Sequence, residues 1–234
     1  MNKPHIVAFG GGVDSTAMIL GLYEAKRPID LILFADTGGE RPETYKHIEN
    51  FSEWLVNKGL PGITIVKRTR KDGSYETLEQ ECHRRNNLPS IAYGFKSCSQ
   101  KHKIAPQDKF LNAWQPAIDF WKTGEKCVKY IGYDAGESHR ADNAAKRDDP
   151  KYTYEYPLIE WQWEREDCLQ CGRHAQRVSG EEERRRRLLD DDGGTFDRLA
   201  GTQVRALMDG AARGGARVGH EHIAKFRRGG GARP

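Results

Sequence analysis

The sequence predicts an α/β fold, with a five-stranded parallel sheet and helices on both of its faces. Three observations carry this. Short apolar runs alternate with segments of helical periodicity through residues 1–171. One run, Asp30 to Ala35, is apolar without alternation, as expected of a strand buried on both faces. A glycine-rich segment, Phe9-Gly10-Gly11-Gly12-Val13-Asp14-Ser15-Thr16, joins the first apolar run to the first helical one.

Taken in order, His5 to Phe9 is the first strand, and Thr16 to Ala25 is a helix with Met18, Ile19 and Leu22 at helical spacing. Asp30 to Ala35 is the second strand. Pro42 to Asn57 reads as a helix with proline in its first turn and Glu43 near its positive end; Ile48, Phe51, Trp54 and Leu55 lie along one face. Ile63 to Val66 is the third strand, Lys129 to Tyr133 the fourth and Tyr156 to Ile159 the fifth, followed by an amphipathic helix carrying Cys168. Right-handed crossovers join these strands into a mostly parallel sheet, and the order 3-2-1-4-5 is expected. That order puts the glycine loop at the switch point between strands one and four, where such sheets bind ligands.

The chain has 234 residues and no stretch of eighteen apolar ones, so a membrane span is not expected. The run Ile6 to Phe9 is cut short by glycines, which argues against a signal peptide, and a cytoplasmic protein is expected. Five cysteines, odd in number and thinly spread, do not form a disulfide framework. Charge divides the chain: residues 1–171 carry net −1, whereas residues 172–234 carry net +5, almost entirely from arginine. All five tryptophans and all nine tyrosines precede residue 164, and 12 of the 25 glycines fall in the last 63 residues. A single domain over residues 1–171 is therefore expected, with an Arg/Gly-rich tail over 172–234 that is disordered or the product of a shifted reading frame.

The glycine loop admits three phosphate-binding interpretations. A Walker A loop ends in Gly-Lys-Ser/Thr, and this loop has no lysine. A dinucleotide fingerprint needs a third glycine where Ser15 stands, although Asp36 imitates its ribose-binding acid. The third is the best match: Gly10-Gly11-Gly12-Val13-Asp14-Ser15 resembles the Ser-Gly-Gly-x-Asp-Ser signature of the PP-loop ATP pyrophosphatase superfamily, with Gly10 in place of the first serine. A narrower resemblance, to the phosphoadenosine phosphosulfate (PAPS) reductase-like family, rests on four further segments in order. They are Asp36-Thr37-Gly38 leading into Pro42-Glu43-Thr44-Tyr45, Cys98 to Pro106, Ile131 to Arg140, and Tyr156 to Trp161. Tyr133 stands where the family often has arginine.

This resemblance implies a Rossmann-like fold of the adenine nucleotide alpha hydrolase type. It also implies a nucleotide site formed by Gly10, Gly11, Gly12, Asp14, Ser15, Thr16, Asp36, Thr37 and Gly38. The cofactors it implies are ATP, or an adenosine phosphosulfate, and Mg2+ held by Asp36. Lys103 and Arg140 are the candidate catalytic cations, suited to phosphate or sulfate oxygens. The expected reaction splits ATP into AMP and pyrophosphate to adenylate an acceptor from sulfur-related or nucleic-acid modification chemistry. That acceptor would be a nucleic acid or a sulfur carrier. One alternative is a sulfonucleotide reductase using a cysteine, for which Gln170-Cys171-Gly172-Arg173-His174 offers a superficial match. Another is an inactive nucleotide-binding module whose basic tail contacts nucleic acid. Cys82, Cys98, Cys168 and Cys171 are the available ligands for an iron-sulfur cluster or zinc, of which Cys168-x-x-Cys171 is half a site.

Overall fold

The computed structural model describes residues 2–88, 99–145 and 148–173. The Arg/Gly-rich tail beyond residue 173 and Cys98 lie outside the described residues. Five parallel strands form one sheet in the order β3-β2-β1-β4-β5, as the sequence predicts. The elements are β1 (His5–Phe9), α1 (Val13–Glu24), β2 (Leu31–Asp36), α2 (Pro42–Asn57), β3 (Ile63–Lys67) and α3 (Leu78–Arg85). After the undescribed stretch, a π-helical turn (Gln100–Ile104) runs into α4 (Ala105–Leu111), followed by α5 (Gln115–Trp121) and β4 (Cys127–Ile131). A 3-10 turn (Ala135–Glu137) leads into α6 (Ser138–Ala145), β5 (Tyr152–Glu155) and α7 (Pro157–Glu160). A last helix, α8, covers residues 165–173. No described helix is long and apolar enough to cross a membrane.

The period-two alternation of each strand divides the core between the two faces of the sheet. Val7 and Phe9 of β1, Ile32 and Phe34 of β2, and Val128 and Tyr130 of β4 pack on one face with α1, α2, Trp163, Cys168 and Cys171. Ile6, Leu31, Leu33, Ala35 and Cys127 face the other way, against Leu111, Ala117 and Phe120 of α4 and α5. All six residues of β2 are buried, which is why its sequence shows no alternation. Residues Ser15 to Leu22 of α1 are buried in succession, so the helix that follows the glycine loop is enclosed.

Two strands differ by more than one residue from the sequence expectation. The fourth starts and ends two residues early, at Cys127–Ile131, because the chain leaves the sheet where Gly132 crosses the loop: a Cβ on Gly132 would lie 3.1 Å from the Ser15 Cα. The fifth is Tyr152–Glu155, paired with Cys127 to Tyr130, and not Tyr156 to Ile159. Pro157 has no N–H for a ladder and sits in the first turn of α7, where a missing donor costs nothing. The segment expected to extend the sheet therefore turns out of it, burying Leu158 against α1's side of the core.

Candidate functional site: the glycine loop at the switch point

The carboxyl ends of β1, β2 and β4 converge on the glycine loop. Gly11 has φ +73°, a left-handed conformation that glycine adopts without a Cβ penalty. Gly12 is the extended N-cap of α1, and its carbonyl accepts from the Thr16 amide at 3.1 Å, the Thr16 hydroxyl at 2.9 Å and the Ser15 hydroxyl at 3.1 Å. The Ser15 Oγ also accepts from the Gly10 amide at 3.2 Å. The predicted hydroxyls of Ser15 and Thr16 are thus spent on the loop's own shape. What the loop presents is backbone: the amides of Gly11, Gly12, Val13, Asp14 and Ser15 have no acceptor among the described residues. Free amides at the positive end of a helix form an anion site.

His47 supports this shape from α2. Its Nε2 lies 3.0 Å from Thr16 Oγ1, whose own proton is directed to Gly12, so the ring donates. The ring is stacked on Phe51, which is stacked on Trp54. Burial lowers the pKa of His47, favouring the neutral ring.

At the end of β2, Asp36 is 5% exposed. Its Oδ1 accepts from the Gly38 amide and the Tyr45 hydroxyl, each at 2.7 Å, and Lys67 Nζ is 3.1 Å from Oδ2. Burial acts to raise the carboxyl's pKa, but the Tyr45 and Gly38 hydrogen bonds and the Lys67 charge outweigh it, so the group is held below its ordinary value. Tyr45 is pushed up to about 12, by burial first and then by Asp36. Gly38, at φ +73°, passes so close to the β3–α3 loop that a Cβ would fall 2.4 Å from Thr77 Cγ2. The Thr37 hydroxyl donates to Glu40 at 3.3 Å, and its carbonyl accepts from the Leu78 amide.

The two candidate catalytic cations sit on the flanks. Lys103, on the π-helical turn, is 3.8 Å from Glu40. Arg140 pairs with Glu137 at 2.5 Å and lies over the Tyr133 ring, 4.1 Å from its centre, with Tyr156 stacked beyond. A third cation, not anticipated from the sequence, reaches the loop itself: Arg165 of α8 donates to Asp14 Oδ2 at 2.5 Å across 151 residues of chain. The other Asp14 oxygen, Oδ1, is out of solvent, with the Cys168 thiol beside the carboxylate. No pattern within either segment signals this pairing, because it depends on where α8 docks.

Of the proposed cluster ligands, Cys168 and Cys171 are buried in the core beside α1 and Cys82 is half-buried on α3. Burial, followed by the Asp14 charge, pushes the Cys168 thiol up, and burial pushes Cys171 up to about 12; both remain protonated thiols. Among the described residues no group of three His, Cys, Asp or Glu side chains is disposed to hold a metal ion.

This loop, sheet order and converging carboxyl edge coincide with a family match: the phosphoadenosine phosphosulfate reductase domain covers residues 4–165. The chain belongs to that family. A curated relative, an uncharacterized protein of Methanocaldococcus jannaschii, is 33% identical over 112 residues, or 47% of this chain. The matched stretch makes up 20% of that relative's length, so the chain spans about a fifth of it. The family's boundary at residue 165 coincides with the start of α8, the helix that returns Arg165 to the loop.

Proposed function

We propose that the glycine loop binds the phosphates of an adenine nucleotide and that the protein splits ATP between its α- and β-phosphates, adenylating an acceptor. The observation that carries this is the row of five amides, Gly11 to Ser15, without acceptors among the described residues, at the positive end of an enclosed helix. A nucleophile on the acceptor attacks the α-phosphorus, the bond to the bridging oxygen breaks, and pyrophosphate leaves in the loop. The protein contributes position and charge: fixed amide dipoles meet the developing charge without reorganising. The acceptor belongs to sulfur or nucleic-acid modification chemistry, and residues 1–171 form the unit that does this work.

Mg2+ would neutralise phosphate charge in such a site. Asp36 fits it poorly, since both its oxygens are engaged and Lys67 would have to leave. Asp14 is no better a ligand as it stands, with Oδ1 out of solvent beside Cys168 and Oδ2 paired with Arg165. Reduction of a sulfonucleotide by Cys171 finds little support, because that residue is 1% exposed and its thiol pKa is raised by burial.

ATP labelled separately in the α- and γ-phosphates, incubated with the protein and candidate acceptors, should give labelled AMP or an adenylated product together with pyrophosphate. Release of ADP and phosphate would refute the cleavage position. In titration calorimetry, Gly11→Ala and Asp14→Ala should each weaken ATP binding, and unchanged affinity would refute the loop assignment.

A further inference from the structure

We propose that Arg165 is the cation that grips the nucleotide's phosphates at the glycine loop, and that Asp14 is the residue that positions it. This rests on the reading of the loop as a nucleotide site. A loop of this kind gathers several negative charges, yet residues 9–16 contain no Lys or Arg. The cations expected from the sequence are directed elsewhere, Lys103 toward Glu40 and Arg140 toward Glu137 and the Tyr133 ring. Among the described residues, Arg165 is the cation that touches the first turn of α1, through Asp14 Oδ2. It is also placed to exchange partners: its side chain is 56% exposed, and Nη1 is its only nitrogen with an acceptor among the described residues. The unused guanidinium donors form the planar fork that matches phosphate oxygens.

Asp14 is suited to aim this fork without competing for all of it. It sits at the positive end of α1, where a carboxylate is favoured, and its other oxygen is turned out of solvent. Cys168, packed beside it from the same helix as Arg165, stays a neutral thiol and adds no second negative charge. Residues 165–173 thus complete the phosphate site from a helix that begins where the family match ends.

The test is calorimetric titration of the full chain with ATP, inorganic pyrophosphate and adenosine, for the parent and for Arg165→Gln, Arg165→Lys and Asp14→Asn. Arg165→Gln should weaken ATP and pyrophosphate by about ten- to a hundredfold, the range for losing a hydrogen bond to a charged group. Adenosine affinity and thermal melting should not change. Arg165→Lys should keep part of the affinity, and Asp14→Asn should weaken ATP, with a less than additive effect when it is combined with Arg165→Gln in one protein. An Arg165→Gln protein that binds ATP as tightly as the parent, or more tightly, would overturn the assignment; the tighter case would make Arg165 a lock over the loop. Equal losses for ATP and adenosine would also overturn it, by showing a general disturbance. A parent chain that binds neither ATP nor pyrophosphate would bring down the nucleotide reading and this assignment together.

Discussion

Replacing Gly11 with alanine tests whether the loop's geometry is imposed by its backbone, and the structure supplies an internal control. Gly11 has φ +73° and Gly59 has φ +77°, so alanine suffers the same left-handed penalty at both, roughly 1–2 kcal/mol. Alanine also removes about the same unfolded-state entropy at each position, which cancels in the comparison. The surroundings differ. A Cβ on Gly11 would lie 3.1 Å from Phe34 Cε2 and 3.2 Å from Thr44 Cγ2, whereas one on Gly59 meets nothing within 4 Å. Phe34 is 2% exposed and has little room to yield, so overpacking should add about 1 kcal/mol. Gly11→Ala should therefore cost about 2–3 kcal/mol and Gly59→Ala about 1 kcal/mol less. Urea unfolding of both variants measures the difference directly, and Gly11→Ala should also melt several degrees lower. Equal losses at the two positions would refute the packing of the loop against Phe34 and Thr44.

Other variants probe the surroundings of the site. Glu81, 5% exposed, meets Arg68, His102, Arg85 and Lys101; burial opposes its charge, but these partners hold its carboxyl down to about 2. A depressed acid contributes stability that is full above its unfolded pKa and is lost as pH falls toward the folded one. The parent should therefore lose about 2 kcal/mol between pH 5 and pH 2 that Glu81→Gln does not lose, read from urea midpoints; parallel profiles would contradict the network. Tyr45→Phe removes a donor to the buried Asp36 and should cost about 1.5 kcal/mol while raising the Asp36 carboxyl, as followed by carbon-detected NMR titration. In Gly21→Ala the new Cβ would stand 2.3 Å from Trp161 Cζ3, so the variant should lose stability and shift tryptophan fluorescence despite the better helix propensity of alanine.

The sequence made the layered part of the fold legible because burial writes itself into residue patterns. β2 shows it most clearly, with five buried apolar residues in succession before Asp36, and α2 begins and ends where its proline and its apolar face require. The fifth strand was misplaced because Tyr156 to Ile159 carries strand-forming side chains, while its proline removes a ladder donor and starts a helical turn. Tyr152–Glu155, more polar and at the sheet edge, gave a weaker signal. Around the loop, Gly11 and Gly38 are legible as glycines because positive φ and close neighbours exclude a side chain there, and Asp36 because it ends a buried apolar run. Ser15 and Thr16 were identified as loop residues, but their inward hydrogen bonds to Gly12 could not be read from order along the chain. The pairings of Asp14 with Arg165 and of Thr16 with His47 were equally hidden, since each joins segments brought together only by packing.

The most direct test of the central claim is amide NMR of the 15N-labelled chain titrated with Mg-ATP and then with inorganic pyrophosphate. If the loop holds the phosphates, the largest shift changes belong to the amides of Gly11, Gly12, Val13, Asp14 and Ser15, the five without acceptors among the described residues, and pyrophosphate reproduces them. Loop amides that stay in place while ATP shifts resonances elsewhere, or no shifts with either ligand, would contradict the account.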